Sequence, residues 1–158
     1  MLEKELTGEI IRVFYKVYNT LGYGFVESIY HNAMIIELVA SGLKIETEKA
    51  IAVYYKEQVV GAFSADLVVE DLVILELKAK ESLVPAHEAQ LINYLRSTTI
   101  EVGLLLNFGK EPEFKRKYFS NENKHFSKPA PDDQLFTNLL RKDSPDPLDP
   151  LDPRSSAS

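Results

Sequence analysis

The sequence contains no cysteine, which removes disulfide cross-links, thiolate zinc sites and cysteine nucleophiles together. Stability must come from an apolar core. With 45% hydrophobic residues in a chain of 158, there is enough apolar side chain for one domain and little room for a second. Long hydrophobic runs are also absent: no segment approaches the ~20 apolar residues that cross a bilayer. The N-terminal MLEKELTGEI lacks a basic stretch followed by an apolar one. A cytoplasmic protein with no membrane partner is therefore expected. A basic excess is missing as well, since the formal net charge is −6, whereas a nucleic-acid binder more often presents a basic face.

Half of that acidic excess falls in residues 129–158, so residues 1–128 are nearer balance. Their basic residues gather late, at Lys110, Lys115, Arg116, Lys117, Lys124 and Lys128. Such a cluster could meet phosphates or could be an ordinary solvated face. Six of the eight prolines lie in residues 129–158, which end in the Asp-Pro repeat SPDPLDPLDPRSSAS. Proline removes backbone donors and the segment has little to bury, so a disordered Pro/Asp-rich tail is expected, preceded by a helical turn or two at Asp133 to Arg141. The expected division is a folded unit over 1–128 and a tail over 129–158.

Within the folded unit, Leu6, Ile10, Val13, Phe14, Val17, Tyr18 and Leu21 recur at helical spacing and predict an amphipathic helix that ends at Gly22 and Gly24. A second helix is predicted from Val26 to Ala40, with Ile29, Tyr30, Ala33 and Ile36 on its apolar side and Gly42 as its stop. From Leu43 to Ala79 the pattern changes to three strands rich in β-branched and aromatic residues, which reads as an antiparallel meander. Pro85 opens a third helix running to about Ser97. The run VGLLLNF then reads as a strand buried on both faces, and a further strand is expected near Phe114 to Phe119. The predicted class is α/β, a mixed sheet with helices on both sides.

In LVILELKAK, strand alternation puts Ile74, Glu76 and Lys78 on one face. Burying either charge alone would cost several kcal/mol, so a strand this apolar carries them only if they are partnered or bound to something. Asp66 lies ten positions before Glu76 on the preceding strand. Two carboxylates supply hard oxygen ligands for Mg²⁺ or Mn²⁺, and a lysine beside them can orient a water or stabilise charge developing on phosphorus. An ordinary cross-strand ion pair would leave the same trace in the sequence. On the following helix His87, Gln90 and Tyr94 share a face, where an amide and a phenol could hold a phosphate and a water; a core tyrosine beside an exposed glutamine is the simpler alternative. Glu27 sits in the first turn of the second helix, a position that acidic residues favour for the helix dipole alone.

Strand parity makes the Asp66–Glu76 idea testable. A two-residue turn at Glu70-Asp71 would put Asp66 opposite Leu75, on the wrong face. A three-residue loop Glu70-Asp71-Leu72, or a β-bulge, would put it opposite Glu76, with the carboxylates within about 5 Å.

The segment Gly24-Phe25-Val26-Glu27-Ser28-Ile29-Tyr30, followed in order by ADLVVEDLVILELKA, HEAQLINYL and EVGLLLNFG, resembles the GxxExxY family, a set of small proteins within the PD-(D/E)xK nuclease superfamily. The resemblance runs from about Leu6 to Lys117. It implies a restriction-endonuclease-like core in which Asp66, Glu76 and Lys78 form the signature triad. It further implies that Gln90 and Tyr94 match the Q-x-x-x-Y helix motif of RecB-type nucleases, and that Glu27 is the helical acidic residue, making Glu27, Asp66 and Glu76 the expected ligands for Mg²⁺ or Mn²⁺. The function so implied is metal-dependent phosphodiester hydrolysis of nucleic acid, with DNA favoured. The alternative is a catalytically silent module that keeps the fold and binds nucleic acid or a protein. The sequence leaves oligomeric state open.

Overall fold

The protein is described by a computed structural model over residues 3–124; the expected tail and its helical turn lie outside the described residues. Two helices, α1 (Lys4–Leu21) and α2 (Glu27–Ala40), precede the strands β1 (Ile45–Tyr55), β2 (Gln58–Val69) and β3 (Val73–Lys78). Helix α3 (Pro85–Arg96) then crosses to β4 (Val102–Phe108), and β5 (Pro112–Tyr118) completes the sheet. The strand order is sequential, β1 to β5. Every neighbouring pair is antiparallel except β3 and β4, which run parallel because α3 carries the chain back. This is a mixed five-stranded α/β sheet of the restriction-endonuclease-like kind. Among the described residues no helix is long and apolar enough to cross a membrane.

Helices α1 and α2 cover one face of the sheet. Ile10, Val13, Phe14 and Val17 of α1 pack with Tyr30, Met34 and Leu38 of α2 over Val73, Leu75 and Leu77 of β3 and Leu104 and Leu106 of β4. The buried side of α2 differs from the sequence reading: Tyr30, Met34 and Leu38 face inward, Ala33 is half-buried, and Ile29 and Ile36 are exposed. Apolar residues surround this helix, so periodicity alone selects no face. Helix α3 covers the opposite side, where Leu91, Tyr94 and Leu95 meet Phe63, Ile74 and Leu105. It approaches β4 closely because Gly103 has no side chain; a Cβ there would fall 2.7 Å from Leu91.

Two irregularities shape the site. The β2–β3 connection is the three-residue loop Glu70-Asp71-Leu72, with Glu70 and Asp71 both at positive φ, so Val69 pairs with Val73 and Leu67 with Leu75. The second is a change of face at Asp66. Ala65 packs on the α3 side, while Leu67, which would share its face in a regular strand, packs under α1 and α2. Strand β1 switches in step. Ile45 belongs to one core and Ile51 to the other, and between them Glu48 takes φ 47°. The local twist re-aims side chains, as bulges near functional sites commonly do.

Candidate active site

Because Val69 pairs with Val73, the register carries Asp66 opposite Glu76, but the regular ladder stops at Leu67 and Leu75. Side chains take over the bonding. The Asp66 amide donates to Glu76 Oε1 at 3.3 Å, and the Leu77 amide donates to Asp66 Oδ2 at 2.8 Å. Both carboxylates thus sit in the gap where β2 and β3 separate, each bonded to a backbone amide across it. Burial raises the Glu76 pKa well above its usual range, with the neighbouring Asp66 charge pushing the same way. Asp66 is raised by burial too, opposed by the Leu77 amide and the Lys78 charge.

Lys78 lies two residues along β3, only 1% exposed, and its ammonium donates to Gln90 Oε1 at 3.4 Å. The strand side thus meets α3 through Lys78 and Gln90. Tyr94, one turn further along α3, stacks its ring on Phe63 with centroids 3.7 Å apart and belongs to the α3-side core. His87 has a structural role, since its Nδ1 accepts from the Val84 amide at 3.1 Å and so closes the start of α3. Burial, with the charges of Lys78 and Lys80, lowers its pKa, so the ring is neutral.

On the opposite side, α2 brings Glu27 toward the gap. Its carboxyl is raised to about 7, first by burial and then by Asp66, against the opposing charges of Lys78, Lys80 and His31. The geometry around Glu27 is held by residues 22–30 themselves. The Tyr30 hydroxyl donates to the Gly22 carbonyl at 2.5 Å and accepts from the Phe25 amide at 3.2 Å, fixing the loop that launches α2. Gly24 in that loop takes φ 114°, a conformation that side chains disfavour.

Two neighbours were missed by sequence reasoning. His31, one turn after Glu27, places Nε2 3.0 Å from the Asp66 carbonyl, at the point where β2 changes face. The i,i+4 spacing from Glu27 is the signal that could have found it. Asn107 hides inside the apolar run of β4, opposite Lys78 in the parallel register. Its amide group accepts from the Lys80 N–H at 2.9 Å and donates to the Lys80 carbonyl at 3.0 Å, which fixes the chain as it leaves β3.

Among the described residues no group of three or more His, Cys, Asp and Glu is close enough to hold a metal ion. The paired carboxylates alone fit a small hard cation. They offer two facing oxygen donors whose burial penalises ionisation without a partner, and Mg²⁺ is commonly held by one or two carboxylates with water completing its shell. Of the late basic cluster, Lys115, Arg116 and Lys117 lie on the edge strand β5, and Lys128 lies outside the described residues. Lys117 pairs with Glu88 at 2.5 Å, and Lys124, beyond β5, donates to the Thr98 and Ile100 carbonyls.

A family model described as the PD-(D/E)XK nuclease superfamily matches residues 4–117. The chain belongs to this superfamily. PD-(D/E)XK nucleases generally use divalent metal ions, and their substrate is nucleic acid. No curated protein matches the chain. One solved structure that does is the "Crystal structure of SSO0001", 19% identical with a TM-score of 0.49, covering 72% of this chain. The present chain spans 55% of that protein's length.

Proposed function

We propose that this PD-(D/E)XK protein is a metal-dependent nuclease of the GxxExxY type that hydrolyses phosphodiester bonds, with DNA the favoured substrate. The observation that carries the proposal is the pairing of Asp66 with Glu76 in the strand gap, with buried Lys78 two residues beyond. Asp66 and Glu76 would hold Mg²⁺ or Mn²⁺, and Glu27 bears on the same gap from α2. A bound ion would polarise the phosphate and lower the pKa of a water.

The chain's own residues account for the remaining steps. Lys78, held by Gln90, would present its ammonium to the attacking water or to the negative charge that builds on phosphorus. The water oxygen bonds to phosphorus, the ester P–O bond breaks, and the departing oxygen takes a proton. Tyr94 would act through Gln90, keeping α3 seated against Phe63 so that the amide stays beside Lys78.

Divalent-ion titration by calorimetry tests the proposal. The parent and Lys78→Ala proteins should bind Mn²⁺ alike, while Asp66→Asn should bind at least tenfold more weakly, since only the carboxylate is a ligand. Equal affinity of Asp66→Asn and the parent would remove the pair as the metal site. A second reading, a silent nuclease fold that binds without cleaving, is favoured by the acidic net charge of −6; it predicts no binding at millimolar ion.

A further inference from the structure

The nuclease reading leaves unexplained two large aromatic side chains that the fold exposes on the loop leading into Glu27. Tyr23 is 59% and Phe25 45% exposed, and both lie on the α1–α2 loop immediately before Glu27. A loop whose rings merely filled space would bury them. This loop is instead rigidly held, by the two hydrogen bonds of the Tyr30 hydroxyl and by the Gly22 amide, which donates to the Tyr18 carbonyl at 2.7 Å. The last turn of α1, from which the loop departs, meets the turn after β4, because the Tyr18 hydroxyl donates to the carbonyls of Gly109 and Lys110 at 2.8 and 2.7 Å.

Two exposed cations share this end of the sheet, where the parallel strands β3 and β4 finish. Lys110 follows β4 directly, and Lys80 follows β3, its backbone clamped by Asn107 and its charge felt by both Glu27 and His87. Exposed aromatic rings together with cations are what single-stranded nucleic acid requires: unpaired bases stack on the rings and phosphates meet the cations. Duplex binding relies mainly on neutralising phosphates. A duplex offers no free base faces to exposed rings, whereas unpaired bases can stack on them as well as meet the cations.

We propose that the Tyr23–Phe25 loop, with Lys80 and Lys110, is a stacking platform that feeds single-stranded nucleic acid into the Asp66–Glu76 gap. This rests on the nuclease reading for what happens in the gap, but binding can be measured without cleavage. The test uses the full chain in EDTA with a fluorescein-labelled single strand of about 16 nucleotides, the upper end of such sites, and the blunt duplex of the same sequence, read by anisotropy. The parent should prefer the single strand. Tyr23→Ala/Phe25→Ala should lose roughly tenfold or more of that affinity, with far-UV circular dichroism unchanged because neither ring is in the core. Lys80→Ala should lower the slope of log affinity against log salt by about 0.7, one phosphate contact.

Parent-like single-strand binding by the double variant, or no single-strand preference in the parent, overturns the platform. A parent that binds the single strand but cleaves nothing in Mg²⁺ removes the nuclease reading and leaves the platform standing. Cleavage in Mg²⁺ with the same KM in parent and double variant does the reverse.

Discussion

Glu27 offers a stability measurement that reports on the site without any assay of activity. Its carboxyl is held at about 7, against an ordinary 4.5, chiefly by burial and by the Asp66 charge. The folded protein therefore takes up a proton that the unfolded chain releases, and stability falls as pH rises from about 4.5 to 7. A shift of that size corresponds to about 3 kcal/mol, and because Glu27 is only half-buried, solvent screening reduces the expected cost to about 1.5 kcal/mol. Glutamine mimics the protonated acid at every pH. Glu27→Gln should match the parent at pH 4.5 to within about 1 °C and melt about 6 °C higher at pH 8 in EDTA, the conversion being several degrees per kcal/mol for a fold of this size. Thermal melts by circular dichroism at the two pH values supply the comparison. A variant that melts below the parent at pH 8, or differs from it equally at both pH values, would refute the electrostatic reasoning.

Tyr30→Phe keeps the stacked ring against Phe108 but removes both hydroxyl bonds to the α1–α2 loop, so urea denaturation should show a loss of about 1–2 kcal/mol; an unchanged midpoint would mean that the loop does not depend on this tyrosine. Asn107→Ala strips both partners from the Lys80 backbone in a half-buried setting and should cost about 2–3 kcal/mol by the same method. A loss below about 0.5 kcal/mol would show that the chain leaving β3 is held by other contacts.

The elements of the fold were legible where local pattern and tertiary demand agree. VGLLLNF is buried along its whole length and occupies β4 from Val102 to Phe108, and Pro85 starts α3 as its fixed φ allows. Parity required either a three-residue loop or a β-bulge if Asp66 was to oppose Glu76, and the chain uses the loop Glu70-Asp71-Leu72. What could not be read locally depends on partners far along the chain. The face change at Asp66 requires β1 to turn in step at Glu48, and no spacing within either strand encodes that. Asn107 looks like a flaw in an apolar strand until Lys80, 27 residues away in sequence, is placed beside it. Ile29 and Ile36 read as core because α2 is apolar on every side, and only the positions of α1 and the sheet decide which side is covered. The site was legible as a set of residue types; the backbone amide bonds of Asp66 and Glu76, the Lys78–Gln90 contact and the approach of His31 were not.

The central claim, that Asp66, Glu76 and Lys78 form a working hydrolytic centre, is tested most directly by cleavage of end-labelled single- and double-stranded DNA in Mg²⁺, Mn²⁺ or EDTA, with parent and Lys78→Ala proteins purified side by side. The account predicts metal-dependent cleavage by the parent, none in EDTA, and a loss of roughly a hundredfold or more in Lys78→Ala with Mn²⁺ affinity retained. Equal rates in the two proteins, or no cleavage of either DNA by a parent that binds the ion, would contradict it.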